Sequence, residues 1–205
     1  MEIKEIKDNK NEQPLRHYRA LLASLDPAAV AGRTGIPFEK GCFRTRLLDR
    51  EVTVSWPEGE ARWAASGAEL RPNGEILLLR LLTGGTLAPP TGKMLSYAEL
   101  PWGETYLTQF RGRCISRLAF SFGSSPEKFA EACRGIGGRE AEGKSLSFDI
   151  PFLPELTVRL TVWPGEEDLP PSAQFLFSSN ISLAFSAEDL AYVGDVILDA
   201  MKGRF

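Results

Sequence analysis

The chain has 205 residues, with 24 Lys and Arg against 27 Asp and Glu and a formal net charge of −3. That length suits one domain whose core needs no disulfide or metal staple, and the slight acidic excess argues against nucleic acid as a main partner and against a polybasic membrane anchor. Hydrophobic residues at 43% and charged residues at 25% are the proportions of an ordinary globule, which excludes wholesale disorder.

Residues 1–13 are charged and polar, with no apolar leader, and are expected to fray. A helix is predicted from Pro14 to Leu25, with Leu15, Tyr18, Leu22 and Leu25 on one face and Arg16 and Arg19 off it. Asp26-Pro27 caps and opens a short helix through Ala31, with Gly32 as its stop. Phe43–Leu48 and Glu51–Trp56 read as a hairpin turning at Asp49-Arg50, with Val52, Val54 and Trp56 on one face; Pro57-Glu58-Gly59 stops it. After Asn73-Gly74-Glu75, the run Ile76–Leu82 is apolar around its circumference except at Arg80. That pattern predicts a central buried helix, ended by Gly84-Gly85.

Leu87–Gly92 is a proline-rich connector. Trp102–Phe122 reads as helical, with Tyr106, Phe110, Cys114 and Leu118 at helical spacing. Ser125-Pro126-Glu127 opens another helix, which Gly135 closes. Strands are predicted at Ser145–Ile150, Leu156–Trp163 and Ala173–Phe177. Ser186 with Asp189 opens a last helix whose apolar face is Leu190, Val193, Ile197 and Met201. Strands do not alternate singly with helices, so the prediction is a single α+β domain over residues 14–205, with antiparallel sheet from two β units packed against helices. The strands running into Trp56-Pro57 and Trp163-Pro164 share a strand-ending turn, a simpler reading than a duplicated hairpin.

Ile76–Leu82 is far short of the roughly 20 apolar residues of a membrane span. Cys42, Cys114 and Cys133 are widely spaced and odd in number, which fits reduced thiols and a cytoplasmic setting. One histidine, His17, and three scattered cysteines make neither a zinc shell nor a His-based triad, so no metal and no cofactor is expected. Pro90-Thr91-Gly92-Lys93-Met94 lacks the first glycine and the hydroxyl of a phosphate loop, and Gly135-Ile136-Gly137-Gly138 follows a helix where a dinucleotide fingerprint needs a strand. Glu166-Glu167-Asp168 reads as a solvated turn, and Glu188 and Asp189 as first-turn carboxylates favoured by the helix dipole.

Candidate ligand residues are few. Lys93, Tyr97 and Glu99 follow a connector that prolines stiffen before any ligand arrives, and Gly92 permits close backbone approach. A rigid turn seating Leu95 and Leu100 in the core explains the same residues. Arg44, Arg46 and Arg159 project from strands and would meet an anion, although solvated strand arginines that deter aggregation are the commoner case.

Several stretches in order carry a resemblance: Leu25-Asp26-Pro27-Ala28-Ala29-Val30-Ala31, Ile76-Leu77-Leu78-Leu79, Pro89 through Pro101, Val162-Trp163-Pro164-Gly165-Glu166, Ala173-Gln174-Phe175-Leu176-Phe177 and Glu188-Asp189-Leu190. Together they resemble the bacterial and archaeal domain-of-unknown-function family numbered 3786, over about residues 20–200. The Pro-Pro-Thr-Gly segment and the Ser-Tyr-x-Glu-Leu-Pro that follows it are the most specific part. The resemblance implies a link to cofactor, corrinoid or one-carbon metabolism in anaerobes, where some relatives carry an added iron–sulfur domain. Relatives place histidines where Arg80 stands and near Leu183-Ala184; this chain has neither, nor a cysteine run for a cluster. The expected function is therefore a non-catalytic accessory protein that binds a small molecule or a protein partner, with neither nucleic acid nor membrane involved. The alternative is an enzyme with a loop-built Arg/Glu/Tyr site.

Overall fold

In the computed structural model, which describes residues 9–143, 145–166 and 168–204, the chain opens with α1 (Asn9–Ala23). The helix starts ahead of Pro14, not at it, so this proline lies in the second turn, where it lacks the N–H that would bond the Lys10 carbonyl. Residues 1–8 lie outside the described residues. Leu22 is buried, and Leu15, Tyr18 and Leu25 pack beside it as their spacing predicts. In α2 (Pro27–Thr34) the Asp26 carboxylate accepts from the Ala28 and Ala29 N–H groups at 3.3 Å each. This helix runs through Gly32 and stops at Gly35, whose φ of 69° suits glycine and whose N–H reaches the Ala31 carbonyl.

The first sheet has the order β1 (Phe38–Glu39), β2 (Cys42–Leu47), β3 (Arg50–Ser55), β4 (Ala61–Trp63), all antiparallel. The β2–β3 turn falls on Leu48-Asp49, one residue earlier than predicted. Leu48 takes φ 56° and donates its N–H to the Phe152 carbonyl at 2.8 Å, so a contact with the other sheet sets the turn. After α3 (Pro72–Gly84) come β5 (Met94–Ser96), α4 (Gly103–Phe110), a π-turn over Arg111–Ile115, α5 (Ser116–Phe122) and α6 (Pro126–Arg134). The second sheet adds β6 (Arg139–Glu140), β7 (Leu146–Leu153), β8 (Leu156–Trp163) and β9 (Ser172–Ser178) in the order β5-β9-β8-β7-β6, again antiparallel. α7 (Ala187–Met201) closes the fold behind a capping box in which Ser186 and Asp189 bond each other's backbone N–H. No helix among the described residues is long and apolar enough to cross a membrane.

α3 is the hub. Ile76, Leu77, Leu78, Leu79, Leu81 and Leu82 are all buried, as the circumferential pattern predicts. Each neighbouring helix is tied to it by an arginine. Arg19 of α1 donates from Nε to Glu75 at 3.1 Å. Arg33 of α2 donates to the Leu81 carbonyl at 3.3 Å, to the Leu82 carbonyl and to the Gly85 carbonyl, and so satisfies the open C-terminal end of α3. Arg80 of α3 pairs with Asp189 of α7 and lies between the Tyr18 and Tyr192 rings, 5.2 and 5.7 Å from their centroids. Asp189 thus does more than complement a helix dipole. α7 approaches the π-turn closely at Gly194, where a Cβ would lie 2.5 Å from Cys114 Sγ. One continuous apolar core takes residues from both sheets and the helices between them.

Candidate functional site

The chain leaves β5 after Ser96 because Glu99 captures it. The Ser96 N–H and Oγ both donate to Glu99 Oε2 at 2.8 Å, opening a 3-10 turn over Tyr97–Glu99. These bonds, with Lys93 nearby, hold the Glu99 carboxyl below the ordinary carboxylate range. Tyr97 turns inward. Its ring stacks on Phe110 at 4.0 Å, its hydroxyl donates to the Ala187 carbonyl at 2.8 Å, and burial pushes its pKa up to about 12.

The early exit leaves a sheet edge open. β5 pairs with Leu176, Phe177 and Ser178 of β9, and among the described residues no strand lies beside Ser172–Phe175 on that side. The direction of the free groups follows from the strand's period of two. Ser179 N–H donates to the Lys93 carbonyl at 2.9 Å, on the β5 side, so Phe177, Phe175 and Ala173 turn their N–H and C=O the same way. Gln174 and Leu176 turn theirs to Thr161 and Arg159 of β8. Among the described residues Ala173 and Phe175 therefore have no backbone partner on this side of β9; Ala173 is half-buried and Phe175 only 2% exposed, at the inner end of a groove of about 470 Å³.

Leu107, Arg111, Ile115, Ala119 and Phe120 of the α4–π-turn–α5 segment line this groove, with Trp163, Pro170 and Pro171 towards its other end. Phe120 is 76% exposed and Trp163 38%, both large apolar side chains held in water. Trp163 is steadied by a bond from Nε1 to Ser145 Oγ at 3.1 Å. Arg111 is the charged residue of the lining and has no ion-pair or hydrogen-bond partner among the described residues.

The other anticipated residues lie elsewhere. Lys93 is exposed and, like Glu99, stands outside the groove that Tyr97 helps to line. Arg44 pairs with Glu51 at 3.4 Å, and Arg46 donates to the Asp49 carbonyl at 2.9 Å. Arg159 makes a two-pronged contact with Asp149 at 2.7 and 2.8 Å across β7 and β8. Arg46 shares a shallow depression with Pro90 and Thr157, and Arg159 lines the adjoining one. Sequence reasoning missed the groove itself. A signal was present: Ser172–Ser178 carries no charged residue, although edge strands are usually blunted by one.

A second charged cluster is structural. Arg113 donates to Asp195 at 2.8 Å and lies 4.6 Å from the Tyr192 ring, while Arg117 bridges Asp195 and Asp199. These pairs fasten α7 to the π-turn, and every member has its counter-charge. Among the described residues no group of three or more His, Cys, Asp or Glu side chains is placed to hold a metal ion.

A family model described as Domain of unknown function (DUF3786) matches residues 26–200. No curated protein and no solved structure matches the chain.

Proposed function

The chain belongs to the DUF3786 family, and we propose that it is a non-catalytic binding protein that docks a protein partner in the groove between β9 and the α4–α5 segment. The observation that carries this reading is the exposure of Phe120 beside an apolar, open depression, a large apolar side chain of the kind that a lone globule seldom leaves in water next to such a groove. The enzyme alternative needs Arg, Glu and Tyr groups converging with polar atoms free for a substrate. Here the Tyr97 hydroxyl is committed to Ala187, the Glu99 carboxylate to Ser96, and Arg159 to Asp149.

Placing the photo-crosslinker p-benzoylphenylalanine at Phe120 tests the reading in native cells. The expected result is one discrete adduct, identifiable by mass spectrometry and absent when the same residue replaces Glu127, which is exposed on α6. No discrete adduct, or the same products from both positions, would count against the groove.

A further inference from the structure

We infer that the partner enters this groove as an added β-strand: an extended peptide segment with apolar side chains at alternate positions and a carboxylate within reach of Arg111. The inference rests on the groove being the docking surface and says what chemistry fills it. Ala173 offers an N–H and a C=O to the open side, Phe175 turns its own the same way at the buried inner end of the groove, and β5 ends just where these groups begin. Extended backbone is the chemistry that answers alternating donors and acceptors at that spacing.

The side-chain pattern follows from the sheet. The Phe175 ring meets Phe110 edge-on at 5.6 Å, so the face of β9 that carries Phe175 and Ala173 is the one beneath the helices. In an antiparallel strand added in line with β5, residues opposite Ala173 and Phe175 point to that same face, towards Leu107 and Ile115, and must be apolar. Those opposite Ser172 and Gln174 point away and are polar. Arg111, exposed and uncompensated at the rim, supplies the charge preference. A second copy of this edge fits less well. It brings another uncompensated Arg111 and no carboxylate, and it must pass the Ser96–Ala98 turn at one end and Pro170-Pro171 at the other.

The test uses a phage-displayed random heptapeptide library on the full chain. Enriched peptides should alternate apolar and polar residues and carry Asp or Glu, and selection on Arg111→Glu should replace the acid with Lys or Arg. Ala173→Pro removes an outward N–H and none that faces β8, so the fold is kept; affinity measured by fluorescence polarisation should drop at least about tenfold at unchanged melting temperature. A ligand-side control covers any misfolding of that variant. Methylating the peptide amides that face β9 should abolish binding, and methylating the intervening amides should not. Peptides that lose affinity with Phe120→Ala yet ignore both Ala173→Pro and N-methylation would overturn strand addition and leave the groove standing. No enrichment at all would remove both. A dimer by sedimentation that Ala173→Pro converts to monomer would replace the peptide by a second copy.

Discussion

Burial raises the Cys114 thiol pKa to about 12 and carries that of Cys133 upward as well, while Tyr97 is held at about 12 by the same cause. All three groups are neutral when protonated, and each keeps its proton to a higher pH in the folded chain than in the unfolded one. Their contribution to stability is therefore complete below the ordinary thiol range and is lost as pH rises through roughly 9 to 12. The melting temperature should stay level up to about pH 8.5 and then fall, with a shallower alkaline slope in Tyr97→Phe. In the native protein at neutral pH an aromatic disulfide reagent should titrate Cys42 alone, since Cys114 and Cys133 are buried; denaturant should release all three thiols. Rapid native reaction at Cys114 would contradict its burial. The inert character of Cys114 and Cys133 was legible in the sequence from their helical neighbours Phe110, Leu118 and Phe129. The direction of Tyr97 was not, because its partner, the Ala187 carbonyl, comes from a distant helix.

Arg33 shows what one side chain does for an entire element. It shares the last carbonyls of α3 with the Gly85 N–H, which reaches Arg80 and Leu81, where sequence assigned the end of the helix to Gly84-Gly85 alone. Arg33→Ala leaves the carbonyls of Leu82 and Gly85, both buried residues, without this donor, while Leu81 keeps the Gly85 N–H, and should cost about 1–3 kcal/mol in denaturant unfolding; Arg33→Lys should recover only part, because an ammonium lacks the planar fork that spans several carbonyls. A change within error for both variants would mean that water replaces the guanidinium. Elements whose pattern is self-contained were readable. β8 was found at Leu156–Trp163 to the residue because its alternation runs unbroken, and the Ser186–Asp189 box marked the start of α7. β1 and β4 are too short to alternate and exist because β2 and β3 are there to pair with them. β7 runs on through Pro151 by means of an irregularity in its pairing with β8, where sequence ended it at Ile150. The groove belongs to the same class of hidden feature: it depends on where β5 stops relative to β9, and no local pattern encodes an unpaired neighbour.

At the scale of the molecule, α3 lies in a core shared by both sheets, so the sheets should unfold together. Leu79 is fully buried at its centre. Leu79→Asp places an unpaired carboxylate there, at a cost of several kcal/mol against a total near 5–15 kcal/mol, and should abolish cooperative folding. In the parent chain, single-tryptophan variants retaining either Trp63 in the first sheet or Trp163 in the second should report one coincident transition. Separate midpoints would divide the chain into two folding units.

The two sheets differ in how long they must wait during synthesis. β1 to β4 are consecutive, so the first sheet finds all its strands as soon as Trp63 has left the ribosome. β5 has no strand partner until β9 is made, and Leu48 cannot donate its N–H until Phe152 arrives. For that interval a nascent chain carries α3 already made, with its leucine surface still lacking the cover that α7 supplies. The stretch of translation between Gly84 and Ala187 is thus the period in which this chain is most exposed to chaperones and to aggregation.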